Sequence, residues 1–150
     1  MEKYEAITSP KPNTIIINCS DPRFKIAFRA FIIEGLELSQ GEFVQINVAG
    51  GPAALAHRKT KYNGFWYLID QIRFFLRHFE SIKKIVLIGH EDCGFYKTIA
   101  DHPDKKDPEK KDLPRAIEAI HETLDGREVK SYYASFTDEN RAEIVFEEVQ

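Results

Sequence analysis

The sequence predicts an α/β fold: a central, mostly parallel sheet of about four to five strands flanked by helices, with an antiparallel strand at its C-terminal edge. Three observations carry this. Short β-branched or apolar runs recur at 14–18, 43–48 and 82–88, helical periodicity fills the intervals between them, and two final alternating runs, 129–136 and 142–149, are joined by a polar turn. Strands separated by helices pair in parallel with both faces covered, whereas strands joined by a short turn pair antiparallel.

The elements follow in order. Pro10 and Pro12 mark an extended arm, and Ile15-Ile16-Ile17 then gives the unbroken apolar run of a strand buried on both faces. That run stops at Cys19-Ser20-Asp21-Pro22. From Phe24 the residues Ile26, Phe28, Phe31, Ile32, Leu36 and Leu38 recur at roughly helical spacing, with a stop at Gln40-Gly41. A second strand, Phe43–Val48, closes in Ala49-Gly50-Gly51-Pro52, where glycine permits backbone geometry that other residues resist. Between 63 and 80, Phe65, Trp66, Leu68, Ile69, Ile72, Phe75, Leu76 and Phe79 trace a wide apolar helical face, and a third strand over 82–88 delivers His90 and Cys93. The stretch 101–115 is charged, holds three prolines and lacks periodicity. It reads as an exposed loop with solvated charges, between a short helix from Gly94 and a helix over 113–124 that Asp125-Gly126 ends.

At 150 residues, 43% of them hydrophobic, the chain has the material for a single domain over 1–150. Its 21 basic and 24 acidic residues are interleaved, so no charged stripe would draw nucleic acid. No run approaches the roughly 18–20 apolar residues of a membrane span, and the first residues lack the apolar core of a secretory signal. A cytoplasmic protein with neither membrane nor nucleic-acid partners is expected. Two cysteines are too few for a disulfide-stapled scaffold, and no Cys-x-x-Cys occurs, which favours metal over redox chemistry.

In open parallel sheets functional groups collect at the carboxyl ends of strands. Cys19, the Ala49-Gly50-Gly51 turn, and His90 with Cys93 all follow strand ends. Cys19, His90 and Cys93 offer two sulfurs and one nitrogen, a donor set for Zn2+ that leaves one position open for a water whose pKa would fall to about 7. Asp21 is the competitor for that position, and the Arg23 guanidinium can hold its carboxylate bidentately. With the pair made, Asp21 orients the water; with it broken, Asp21 closes the site as a fourth ligand. Glu91 and Asp92 are candidates either to support the histidine ligand or to face solvent. His57, His78, His102 and His121 read as ordinary surface or helix residues, a proton relay through His57 being the less favoured alternative.

Taken together, Cys19-Ser20-Asp21-Pro22-Arg23, then Ala49-Gly50-Gly51, then Gly89-His90-Glu91-Asp92-Cys93-Gly94 resemble the motifs of the beta-class carbonic anhydrases, especially short members whose second motif ends in Ala-Gly-Gly. The resemblance implies zinc on Cys19, His90 and Cys93, a catalytic dyad of Asp21 and Arg23, and Gly50 and Gly51 lining the crevice beside substrate. It also implies reversible hydration of carbon dioxide to bicarbonate and a proton, in a homodimer or higher homo-oligomer. Asn47-Val48 stands where members usually carry Arg-Asn, Pro22 lies inside the dyad, and the spacer from Cys19 to His90 is longer than in short members. Those departures keep two alternatives open: a non-catalytic zinc-binding relative closed by Asp21, and a hydrolase of carbonyl sulfide or carbon disulfide.

Overall fold

The computed structural model describes residues 1–58, 64–99, 102–104, 106–124 and 126–150. Five strands, β1 (Thr14–Cys19), β2 (Phe43–Val48), β3 (Lys84–His90), β4 (Glu128–Phe136) and β5 (Ile144–Val149), form one sheet in the order β2-β1-β3-β4-β5. β1 pairs in parallel with β2 and β3, β3 in parallel with β4, and β4 antiparallel with β5, as expected. Because strand side chains alternate, Ile15 and Ile17 enter one core and Ile16 the other. Ile15 and Ile17 meet Leu55 of α2 (Ala53–Ala56), Phe65, Leu68, Ile69 and Ile72 of α3 (Gly64–His78), and Leu113, Ala116 and Ile120 of the last helix, Pro108–Thr123. On the opposite face Ile16, Val86 and Ile88 pack with Phe24, Phe28 and Ile32, in and around the first helix, α1 (Lys25–Ala30). Each fully buried isoleucine contributes about 1.5–3 kcal/mol, so the sheet is clamped from both sides.

This strand order creates the site. The chain leaves β1 toward β2 on one side, then crosses to β3 on the other, so the order reverses between β1 and β3. A crevice opens at the carboxyl ends of strands where that happens. Cys19 ends β1 and His90 ends β3.

Three expectations are corrected. The first helix is regular only over Lys25–Ala30 and passes into a wider turn over Phe31–Gly35, with Leu36 N–H bonded to the Phe31 carbonyl. It ends before Gln40-Gly41 because Glu37 takes a left-handed conformation (φ 54°), and Ile26, assigned to the apolar face, is 85% exposed. The third strand lies two residues later than expected, so His90 belongs to the ladder, opposite Ala134. The last helix, α4 (Pro108–Thr123), begins five residues before Leu113. Pro108 sits in its first turn, where no amide hydrogen is needed, and the helical face that carries Leu113 and Ala116 extends back through Glu109 and Asp112. Both acids are buried, as is His102, so the charges of this stretch are not all solvated. Asp101, where the expected loop begins, and Asp125, of the expected Asp125-Gly126 stop, lie outside the described residues.

Candidate metal centre

Cys19, His90 and Cys93 are each at least 93% buried, and their ligand atoms lie within 4.8 Å of one another. The two sulfurs are 3.9 Å apart. A disulfide needs about 2.05 Å, whereas two sulfurs on a tetrahedral ion at about 2.3 Å stand about 3.8 Å apart, so the spacing suits a shared metal. The histidine fits as well. His90 Nδ1 lies 2.8 Å from the Glu91 carbonyl, which can only accept, so Nδ1 carries the proton and Nε2 presents a lone pair. Nε2 is buried with no conventional hydrogen-bond partner, a costly state that a metal ion would relieve. Hydrogen bonding from Cys93 draws the Cys19 thiol down and pushes Cys93 up, so the sulfurs share a single negative charge until a cation compensates two.

The loop from His90 to Cys93 turns back sharply because Asp92 adopts a left-handed conformation (φ 55°), which Asp tolerates better than most residues. Cys93 is then anchored by its N–H, which donates to Glu109 Oε1 at 3.1 Å. The His90 ring packs against Phe24, with centroids 4.2 Å apart, and this fixes its plane. Gly51 (φ 52°) lies directly beneath the end of β1, and Gly50 lines a narrow pocket together with His90, Cys93 and Tyr96.

Asp21 stands beside this cluster, clamped by Arg23. The guanidinium reaches both carboxylate oxygens, with Nη2 to Oδ2 at 2.7 Å and Nε to Oδ1 at 3.1 Å, while the Arg23 backbone N–H donates to Oδ1 at 3.0 Å. These contacts hold the Asp21 carboxyl below its ordinary range. Pro22 occupies the second position of the turn closed by Phe24 N–H and the Asp21 carbonyl, a place its fixed φ suits, so it stiffens the pair without displacing it. Asp21 also borders an open cleft with Cys19, Asn18, Gln45 and Asn47, the last from the segment where this chain departs from the carbonic anhydrase pattern.

Sequence reasoning missed the support behind Arg23. Its Nη1 donates to Asp92 Oδ2 and its Nη2 to the Asp92 carbonyl, both at 2.9 Å, and Arg141 from the β4–β5 connection reaches the same Asp92 oxygen at 2.9 Å. Nothing in the sequence marks Arg141, which comes from 49 residues away. Glu91, the other undecided acid, accepts the Phe136 N–H through its side chain. Replacing Asp92 with Ala leaves two guanidinium groups short of a partner and frees Arg23. With metal retained, any activity of this centre is expected to fall about 10–100-fold, the usual cost of losing support around metal ligands. The visible spectrum of the cobalt-substituted protein checks it, since a released Asp21 on the metal changes the coordination.

No protein-family profile and no curated protein sequence matches the chain. Solved structures do. The chain is similar to a beta-carbonic anhydrase, isoform I, from Trichomonas vaginalis, with a TM-score of 0.63 at 11% identity over 99% of this chain and 87% of that one. It is also similar to the beta-carbonic anhydrase CcaA (TM-score 0.52, 15% identity, 92% of this chain and 74% of that one). A third similarity is to CafA of Aspergillus fumigatus (TM-score 0.51, 14% identity, 94% and 76%). The strand order that brings Cys19 beside His90 is thus part of a wider likeness, and the chain has the fold of the beta-carbonic anhydrases.

Proposed function

We propose that the chain is a zinc-dependent carbonic anhydrase that interconverts carbon dioxide and bicarbonate. The observation that carries the reading is the buried trio of two sulfurs 3.9 Å apart and a partnerless His90 Nε2, beside an Asp21 held back by Arg23. A zinc ion on Cys19, His90 and Cys93 would act as a Lewis acid, lowering the pKa of a water to about 7. The rest falls to the chain. Asp21, fixed by Arg23 and Asp92, accepts a hydrogen bond from the attacking water and orients it. Gly50 lines the narrow pocket beside His90 and Cys93 from which carbon dioxide would approach, and Gly51 supports that edge from beneath the end of β1. Asn47 and Gln45 line the cleft by which bicarbonate leaves. An assembly of two or more copies in the cytoplasm belongs to the same reading: both cysteines are free, and Ile26, 85% exposed between the cleft residues Lys25 and Arg29, is an apolar side chain that a second copy would cover. Among the described residues no helix is long and apolar enough to cross a membrane.

Stopped-flow hydration of carbon dioxide by the zinc-loaded protein tests the proposal. Activity is expected to rise with pH through the neutral range as the attacking water loses its proton. Asp21, depressed by Arg23, remains a carboxylate across that range and adds no inflection of its own above acid pH. Rates equal to buffer alone at both neutral and alkaline pH would sink it.

A further inference from the structure

The cleft that Asp21 borders is suited to hold a negative charge. It has a volume of about 310 Å³, takes its walls from α1 and the edge strand β2, and reaches Cys19 and Asp21 of the metal centre. Lys25 and Arg29 line one wall. They stand four residues apart on α1 and therefore share a face, and both are exposed. Among the described residues neither cation enters an ion pair or a side-chain hydrogen bond. Asp21 is the one carboxylate in the lining, and it does not neutralise them, because Arg23 holds both of its oxygens. Two positive charges therefore face the cleft uncompensated.

The opposite wall adds a neutral donor whose direction is fixed from the buried end outward. Asn18 and Asn47 are register partners on β1 and β2. Asn18, 2% exposed, meets the Cys19 carbonyl at 3.0 Å, and a carbonyl only accepts, so the Asn18 atom there is Nδ2 and its Oδ1 is left as an acceptor. Gln45 must then present Nε2 to that oxygen, at 2.9 Å, and the same Nε2 faces Asn47 Oδ1 at 3.4 Å. Asn47 is left with its Nδ2 as an uncommitted donor in the cleft.

We propose that Lys25 and Arg29, with the Asn47 amide, form a binding site for a small dianionic oxyanion of the phosphate class, either the free ion or a phosphate monoester. Charge and shape both point there. Two uncompensated cations match two negative charges, whereas a monoanion would leave one unmatched. A guanidinium fork pairs with two oxygens at once, an ammonium supplies a point charge, and an amide N–H reaches a further oxygen, a set that suits a tetrahedral oxyanion. Size bounds the ligand. Pockets for drug-sized molecules span about 300–1,000 Å³, so this cleft stands at the small end of that range. A polyanion is excluded because the chain carries a net charge of −3 and its Lys and Arg residues are interleaved with acids. An anion held here would stand across the cleft assigned above to departing bicarbonate and slow the reaction. That consequence rests on the carbonic anhydrase reading, whereas the binding site does not.

Calorimetric titration of the zinc-loaded full chain with inorganic phosphate, at constant ionic strength and mildly alkaline pH, tests the site. One phosphate per chain is expected. Arg29→Gln and Lys25→Gln, both at exposed positions, are each expected to weaken binding about tenfold, the scale of one hydrogen bond to a charged group. Arg77→Gln, which removes the same charge from the exposed face of α3, is expected to change it less than about twofold. The zinc-free chain is expected to bind phosphate as tightly as the loaded one, and acetate, a monoanion, is expected to bind at least about tenfold more weakly. Methyl phosphate titrated alongside separates the two sources: a preference for either form supports the site and identifies which one it takes. Equal losses in Arg29→Gln and Arg77→Gln would reduce the binding to diffuse attraction and overturn the proposal. Binding that disappears with the zinc would put the anion on the metal and overturn it as well, as would acetate matching phosphate. If the protein hydrates carbon dioxide, phosphate is expected to inhibit, with about tenfold more needed in Arg29→Gln. An active protein that binds no phosphate overturns the site alone, whereas phosphate binding by an inactive, zinc-loaded protein upholds the site and sinks the hydration reading.

Discussion

Replacing Cys93 with Ser is expected to abolish stoichiometric zinc binding and, with it, the proposed carbon dioxide hydration. Loss of residues around metal ligands typically costs 10–100-fold in affinity, and loss of a ligand itself should exceed the upper end of that, more than about 100-fold. The effect is large here because nothing else can serve. Cys19, His90 and Cys93 form the only buried cluster among the described residues that offers thiolate donors, and Asp21 is tied up by Arg23 and Asp92. Serine would also leave His90 Nε2 buried without a partner. Zinc present at about 1,000 times its dissociation constant stabilises the folded chain by about 4 kcal/mol, which for a domain of this size is a melting shift of roughly 8–16 °C. Chelation should therefore lower the wild-type melting temperature by that amount and leave Cys93→Ser unchanged. Zinc content near one per chain in the serine variant, or a wild type indifferent to chelator, would contradict the assignment of these ligands.

That Cys19, His90 and Cys93 would meet was legible in the sequence for the same reason that the sheet was. A strand buried on both faces writes itself as an unbroken apolar run, so β1 stands where Ile15-Ile16-Ile17 puts it, while the edge strand β2 shows as the apolar and polar mixture of residues 43–48, and the residues that follow such segments lie at the carboxyl edge. What periodicity reads is apolarity alone, and it fails where a polar residue occupies a buried position. Glu109 and Asp112 face the core because distant segments satisfy them: Cys93 N–H for the first, and His57 and His102 with neighbouring Arg115 for the second. Cys93 and His57 lie 16 and 55 residues from the acids they meet, so the stretch looked like a solvated loop, and its prolines reinforced the error although one of them suits a first helical turn. The end of the first helix was hidden for a different reason. Glu37 takes a left-handed conformation that its residue type does not announce. The Asp21–Arg23 pair could be read from spacing, but its second anchor could not, because Asp92 and Arg141 meet only when β5 folds back beside β4.

Gly51→Ala is expected to be the most disruptive change outside the ligands themselves. At φ 52° an alanine sits in the left-handed region, which costs about 1–2 kcal/mol, and its Cβ would lie 2.7 Å from Cys19 N and 2.9 Å from Asn18 C. Those are backbone atoms of a strand paired on both sides, so they cannot swing away as a side-chain tip would. Relief requires moving the end of β1, and overpacking of this kind adds about 1–3 kcal/mol, for a total near 3 kcal/mol. The displacement falls on Cys19, so zinc affinity should drop along with stability, which ties the glycine to the metal through packing and not through any contact of its own. Two other glycines separate the causes. Gly126 also has a positive φ (66°) but nothing near its Cβ position, so Gly126→Ala should show only the conformational cost. Gly94 has ordinary φ and open space, so Gly94→Ala should be close to neutral. Denaturant midpoints and zinc titrations across the three variants measure this, and a Gly51→Ala protein that loses no more stability than Gly126→Ala and binds zinc like the wild type would refute the packing argument.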